Sequence, residues 1–419
     1  MKMTFKLATG AAVALTAGMV QAATLTVSCG TVGQDYEFCK RAIAEWSQKT
    51  GHEVKQLSIP SSSTDILGLY RKMFAAKSKE VDIVTVDVVW PGMIGNHLLD
   101  LTPYAKDNIK EHFPAIVKNN TIDGKLVAMP WFTDAGLLYY RKDLLEKYKQ
   151  PVPKTWADFE KTAALIQDGE RKAGDKDFQG FVWQGKAYEG LTCGALEWVY
   201  SYGGGTIVDA DSGAITINND KAAQALDMAA KWVGTISPQG VLNYAEEDAR
   251  GVFQNGKAAF MRNWPYAWSL AQGADSRVKD KVGVAVMPGG ENGQAATLGG
   301  WQLAVSKYSA NPDLAADLVM FLTSKDMQKR RAIEGSYNPT YPELYKDKEV
   351  LTANPFFGEL YDVLASAVPR PSSVTGLKYN EVSQNFWNAA HDVLSGHATG
   401  ADAVKKLEGK LKRVQRGKW

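Results

Sequence analysis

The sequence predicts an α/β protein of about two lobes, organised from its start around a parallel sheet. Three observations predict this. At 419 residues the chain exceeds what one ordinary hydrophobic core supports. Its opening segments read β-α-β-α-β, the order of parallel strands joined by helical crossovers. Its composition, 45% hydrophobic and 22% charged, is that of a soluble globular protein.

The elements follow in order. Leu25–Ser28 reads as a short strand. Cys39, Ala42, Ile43 and Trp46 then recur at helical spacing and stop at Gly51. Val54–Ile59 reads as a second strand. Ser61–Asp65 supplies capping chemistry for a helix burying Ile66, Leu69, Tyr70, Met73 and Phe74. Val81–Trp90 is a β-branched strand with Asp87 near its carboxyl end, where sheets of this kind bind ligands. A buried-strand aspartate needs partners, which ligand hydroxyls or a helix N-terminus can supply. Leu126–Pro130 is another strand, followed by Asp134 between an aromatic pair and a strand-like run. Thr155 and Asp158 open a helix carrying Trp156, Phe159, Ala163 and Ile166 on one face. Gly203–Gly205 reads as a turn, without the flanks of a phosphate loop. Asn219–Val233 and Glu246–Phe253 read as helices, Lys281–Met287 and Leu298–Ser306 as strands, Pro312–Thr323 and Lys325–Ala332 as helices. The last helix buries Val404, Leu407, Leu411 and Val414.

Charge, address and cysteines narrow the function. The net charge of +2, from 48 basic and 46 acidic residues, leaves no electrostatic footprint for nucleic acid or an anionic membrane. Lys2 and Lys6 precede the uncharged run Leu7–Val20, and small residues allow cleavage after Ala22, so residues 1–22 read as a secretory signal peptide. The mature protein is therefore expected in an oxidising compartment, most simply a periplasm. There Cys29 and Cys39 can close a short loop and leave Cys193 as a buried thiol, the alternative being three reduced cysteines. The disulfide is the expectation. The histidines show no zinc spacing, and neither metal nor cofactor is expected.

The stretch 260–268, F-M-R-N-W-P-Y-A-W, sets Trp264, Tyr266 and Trp268 around Pro265, beside Arg262 and Asn263. Proline makes it extended or turning chain. Rigid aromatic faces beside amide and guanidinium groups suit a sugar, whose C–H faces stack while its hydroxyls find polar partners. A core aromatic cluster is the competing explanation and, for this stretch alone, the stronger one. In A-V-P-R-P, 367–371, Arg370 is held between prolines and presented to some acceptor, whether a ligand or a carboxylate of the chain.

Taken together, the runs at 129–145, 181–193, 260–268, 297–301 and 367–371 resemble, in colinear order, the periplasmic trehalose/maltose-binding proteins of ABC sugar importers. The resemblance implies a periplasmic-binding-protein fold. Two lobes, each a mainly parallel sheet flanked by helices, would be joined by three crossovers near Pro130, Met287 and Thr323, with the ligand cleft between them. The lobes would comprise residues 23–130 with 288–323, and 131–287 with 324–419. By the same resemblance Asp87, Asp134, Trp264, Tyr266, Gly300, Trp301 and Arg370 would contact a disaccharide. Gly300 would let backbone approach the sugar. Asp35 and Glu37 compete for the acidic position after the first strand, Phe132 stands where a tyrosine can occur, and Ser61–Asp65 replaces an arginine found in relatives.

The leading function is thus a non-catalytic binding protein that delivers an α-linked disaccharide to permease transmembrane subunits, acting as a monomer. A secreted glycoside hydrolase using Asp87 and Asp134 as its carboxylate pair is the alternative. A chemoreceptor-docking module shares the first chemistry and differs in its partner.

Overall fold

In the computed structural model, residues 22–30, 33–365 and 367–419 are described, so the expected signal peptide lies outside the described residues except for Ala22. The opening alternation folds as β1 (Thr24–Val27), α1 (Asp35–Thr50), β2 (Glu53–Gln56), α2 (Ser63–Ala75) and β3 (Ile83–Asp87). Helix α1 buries Phe38, Cys39, Ala42, Ile43 and Trp46 and stops at Gly51, whose φ of 75° is a left-handed cap. Ser62 caps α2 by accepting the Asp65 amide at 3.4 Å. Further along come β4 (Met129–Ala135), β5 (Leu137–Arg141), α3 (Trp156–Lys172), β6 (Gln179–Val182), α4 (Glu189–Ser201), α5 (Asp220–Trp232) and α6 (Glu246–Gln254). The remainder is organised by β7 (Ala258–Asn263), β8 (Val282–Val286), β9 (Leu298–Val305), α7 (Pro312–Leu322), α8 (Lys325–Gly335), α9 (Tyr379–Leu394) and α10 (Gly400–Gln415).

Two sheets define two lobes: a five-stranded sheet ordered β2-β1-β3-β9-β4 and a four-stranded sheet ordered β8-β5-β7-β6. The sheets are mixed rather than mainly parallel. β1 pairs in parallel with β2 and β3, but β9 is antiparallel to both β3 and β4. In the second sheet only β6–β7 is parallel. The reason is the connection between lobes. β4 runs out of the first sheet toward the second, and β9 comes back, so the returning strand must run the opposite way.

The first change of sheet falls at Gly136, not near Pro130, which pairs with Gln302 inside the five-stranded sheet. Residues 131–135 therefore belong to the N-terminal lobe's sheet. The return falls between Val286 and Leu298. Helix α8, which begins just after Thr323, touches both lobes. Met327 packs in the first lobe's core, Ala332 in the second lobe's, and Arg331 pairs with Asp35 of α1 at 2.6 Å. Cys29 and Cys39 form the expected disulfide, with Cα atoms 6.2 Å apart, and Cys193 is a buried free thiol.

The C-terminal lobe is built on an aromatic core. Trp156, Trp183, Trp198 and Trp232 meet Phe159, Phe181 and Phe260, mostly edge to face at 4.8–6.4 Å. Three of the indole N–H groups are answered within the lobe: Trp156 donates to Ser201 Oγ, Trp183 to Ser237 Oγ and Trp232 to Glu160 Oε1.

Candidate functional site

Strand ends of the N-terminal lobe form one wall of a cleft. Asp87 is the last residue of β3 and stands opposite Trp301 of β9, which in turn stands opposite Phe132 of β4; Gly299 stands opposite Asp134. Antiparallel return thus brings residues far apart in sequence to one level. Trp301 is partly buried and set edge-on against Trp90 at 5.4 Å. Gly300 has φ +125°, and a Cβ there would lie 2.6 Å from the Phe132 carbonyl oxygen. Its glycine is demanded by backbone conformation and strand packing at the β9–β4 irregularity, not only by the approach of a ligand. Phe132 is buried against Tyr337, ring centroids 5.0 Å apart.

The opposite wall is the predicted aromatic turn. β7 ends at Asn263, whose Oδ1 accepts the Trp264 amide at 2.8 Å. Tyr139 donates to the carbonyls of Trp264 and Pro265, pinning the turn to β5. Trp264 donates through Nε1 to Glu246 at 3.3 Å, and Tyr266 donates to Glu247 at 2.7 Å. The Arg262 guanidinium lies 4.0 Å from the Trp264 ring centre. Trp268 turns away and packs on Phe356.

Between the walls is a narrow cavity of about 60 Å³ lined by both, smaller than the usual ligand site of roughly 300–1,000 Å³. The lobes touch across it. The Glu189 amide donates to Thr64 at 3.2 Å, and Arg370 donates to Glu189 at 2.7 Å and to Asp87 at 3.1 Å. Glu189 also accepts from Tyr379 and Ser383. Burial nevertheless pushes its carboxyl above the ordinary carboxylate range, against the opposing pull of Arg370.

Asp134 differs from these acids. It lines the cavity, and its Oδ1 is buried without a hydrogen-bond partner among the described residues. Burial first, and then the Asp35 charge, hold its carboxyl well above 3.8, outweighing Arg262 and Arg331. A buried carboxyl facing an open volume is a waiting acceptor or, while protonated, a donor.

Of the two acids competing after β1, Asp35 is buried and paired with Arg331, whereas Glu37 lies on the exposed face of α1. Two residues along a helix is more than half a turn, so only one of them can face inward. Neither lines the cavity; Asp35 acts on it through Arg331, which stacks on Trp131 and Tyr337 at 4.1 and 4.4 Å. Asp87, Phe132, Asp134, Trp264, Tyr266, Gly300, Trp301 and Arg370 all line it.

Comparison with known proteins gives this geometry a family. Residues 31–329 match the sequence profile of the bacterial extracellular solute-binding proteins. The chain belongs to that family. A Deinococcus radiodurans chain named a probable ABC transporter-binding protein is 54% identical over 408 residues, covering 96% of each chain. The solved structure of maltose-bound MalE3 from T. maritima is 42% identical, covers 94% of this chain and 100% of that one, and superposes with a TM-score of 0.89. The GacH receptor of Streptomyces glaucescens shares the fold at 22% identity and a TM-score of 0.84.

This solute-binding protein also lines its cleft with residues that sequence reasoning had not assigned: Ser61, Ser63, Tyr188, Glu189, Gly190, Cys193, Glu246, Gly299 and Tyr337. Glu189 carried a signal. It and Glu197 are the only charged residues of α4, eight positions apart on one face of an apolar helix. Burial pushes the Cys193 thiol up to about 12, which leaves it protonated and unreactive. Among the described residues no cluster of His, Cys, Asp and Glu is placed to hold a metal ion.

Proposed function

We propose that this solute-binding protein captures an α-linked disaccharide of the trehalose, maltose or sucrose type in the periplasm by lobe closure. It then hands the sugar, as a monomer, to the transmembrane subunits of an ABC permease. The observation that carries the proposal is the pairing of aromatic faces with unanswered polar atoms. Trp264, Tyr266 and Trp301 line the same cavity as Asp134 Oδ1 and as Arg370, whose Nε, like that oxygen, has no hydrogen-bond partner among the described residues. A pyranose offers apolar C–H faces to the first group and hydroxyls to the second. Maltose in the 42%-identical T. maritima structure supports the same ligand class. Isothermal titration with trehalose, maltose, sucrose and glucose tests the proposal. At least one disaccharide is expected to bind more tightly than glucose; no heat from any disaccharide rejects it.

One observation favours the hydrolase alternative: Asp134, with its raised carboxyl, lines the cavity together with Asp87, and a general acid beside a carboxylate is a glycosidase arrangement. Asp87, however, is engaged by Arg370. Free glucose accumulating beyond one equivalent per protein on incubation with each disaccharide would favour the enzyme.

A further inference from the structure

One buried ion pair lies where the chain passes between lobes. Arg262 of β7 and Glu197 of α4 are 2% and 0% exposed at their side chains. Two parallel hydrogen bonds join them, Nη2 to Oε1 at 2.6 Å and Nε to Oε2 at 3.1 Å. The remaining nitrogen, Nη1, donates to Gln184 at 3.2 Å. Two connecting segments meet this pair. At Gly136, the first crossover, a Cβ would collide with Glu197 Oε1 and Arg262 Nη2. At the second, the Thr297 amide donates to Glu197 Oε1 at 3.1 Å, and its hydroxyl donates to the Cys193 carbonyl. Val368 of the C-terminal lobe's core backs the second segment through a backbone bridge to Thr297: Leu298 donates to the Val368 carbonyl, and Val368 donates to that of Ala296. On its other side the guanidinium stacks on Trp264, whose indole abuts Gly299 of the opposite lobe.

A buried ion pair is a poor means of stabilising a core. Desolvation offsets most of its attraction, and a well-packed apolar pair is often as stable. What the fork supplies is direction, since a planar guanidinium held at all three nitrogens fixes the plane of whatever stacks on it. We propose that Glu197 and Arg262 are positioning residues that lock the Trp264 platform to two of the inter-lobe segments, at Gly136 and Thr297. Lobe angle and platform orientation are then set by one pair. The consequence for sugars rests on the reading given under Proposed function.

The test uses the full-length protein labelled with 5-fluorotryptophan and two variants. Glu197→Leu with Arg262→Met removes both charges and keeps an apolar core; Arg262→Lys keeps the charge and loses the fork. The fluorine resonance of Trp264, assigned by its absence in Trp264→Phe, is expected to move in both without any sugar, while that of Trp232 in the core stays put. The affinity for the disaccharide found by titration should fall about 10-fold or more, the scale of a lost desolvated cation–π contact. An unmoved Trp264 resonance in whichever variant folds overturns the proposal. If the unmodified protein binds none of the sugars while the resonance moves, the positioning role stands and the sugar reading falls.

Discussion

The tryptophans of the C-terminal core and those of the cleft are chemically the same side chain put to two uses. In the core, Trp156, Trp183 and Trp232 are almost wholly buried, ringed by other aromatics, and their N–H groups end on acceptors within the lobe. In the cleft, Trp264 and Trp301 are only partly buried, and their neighbours include polar atoms with no partner among the described residues. Burial of aromatic area explains the first group completely. It does not explain the second, because a wall left partly wet beside an unanswered carboxyl forgoes stability. The difference teaches that an aromatic residue reads as a binding surface when the polar groups around it remain unsatisfied.

Substitutions separate the two uses. The largest effect is expected from Trp232→Ala, which empties the middle of the core: unfolding by denaturant should show a loss of roughly 3–5 kcal/mol. A loss below 1 kcal/mol would mean that the core cluster is not what holds the lobe. Arg370→Ala comes next, because it strands Asp87 and Glu189 without their cation, at a cost on the order of 3–5 kcal/mol to the sugar-free protein. Unchanged apo stability together with lost affinity would make ligand, rather than these two acids, the partner of the guanidinium. Trp264→Ala should behave in the reverse sense to Trp232→Ala. Its stability should stay near that of the parent while disaccharide affinity falls by about 1–2 kcal/mol, or 5- to 30-fold. A melting temperature that falls as far as in Trp232→Ala would return Trp264 to the core class.

The smallest effect concerns protons. Burial holds the Asp134 carboxyl well above 3.8, so the folded, sugar-free protein keeps a proton that the unfolded chain releases. Its contribution to stability is complete below 3.8 and is lost as pH rises through the raised value. Asp134→Asn should flatten stability in that window. Hydroxyls donating to the carboxylate favour its ionised form, so sugar binding should release a fraction of a proton. Titrations in two buffers of different ionisation enthalpy would detect it, and equal heats in both would exclude an ionising Asp134.

Local chemistry was legible in the sequence. Helix faces such as Trp156, Phe159, Ala163 and Ile166, the caps at Ser62 and Thr155, and the turn at Pro265 all follow from spacing and side-chain type, and all are present. The sense of the strands was not, because it depends on where a strand enters a sheet, and β9 enters from the other lobe. For the same reason Gly136 gave no signal as a crossover: its constraint comes from Glu197 and Arg262, both distant in sequence. Most cleft residues were reached through the resemblance of whole motifs. Glu246 and Tyr337 were not reached, since a charge at a helix start and a tyrosine in a loop are ordinary surface features until the lobes come together.

The place of β9 also bears on how the molecule comes to exist. Its residues fill the middle of the N-terminal sheet, between β3 and β4, with Trp301 beside Asp87. A growing chain that has reached Ala135 therefore holds a sheet with a gap, and the gap persists until residue 305 has been made. Pairings so far apart in sequence form late and slowly. The first lobe is expected to finish after most of the second has been synthesised, and refolding from denaturant should show the N-terminal sheet as the last to gain amide protection.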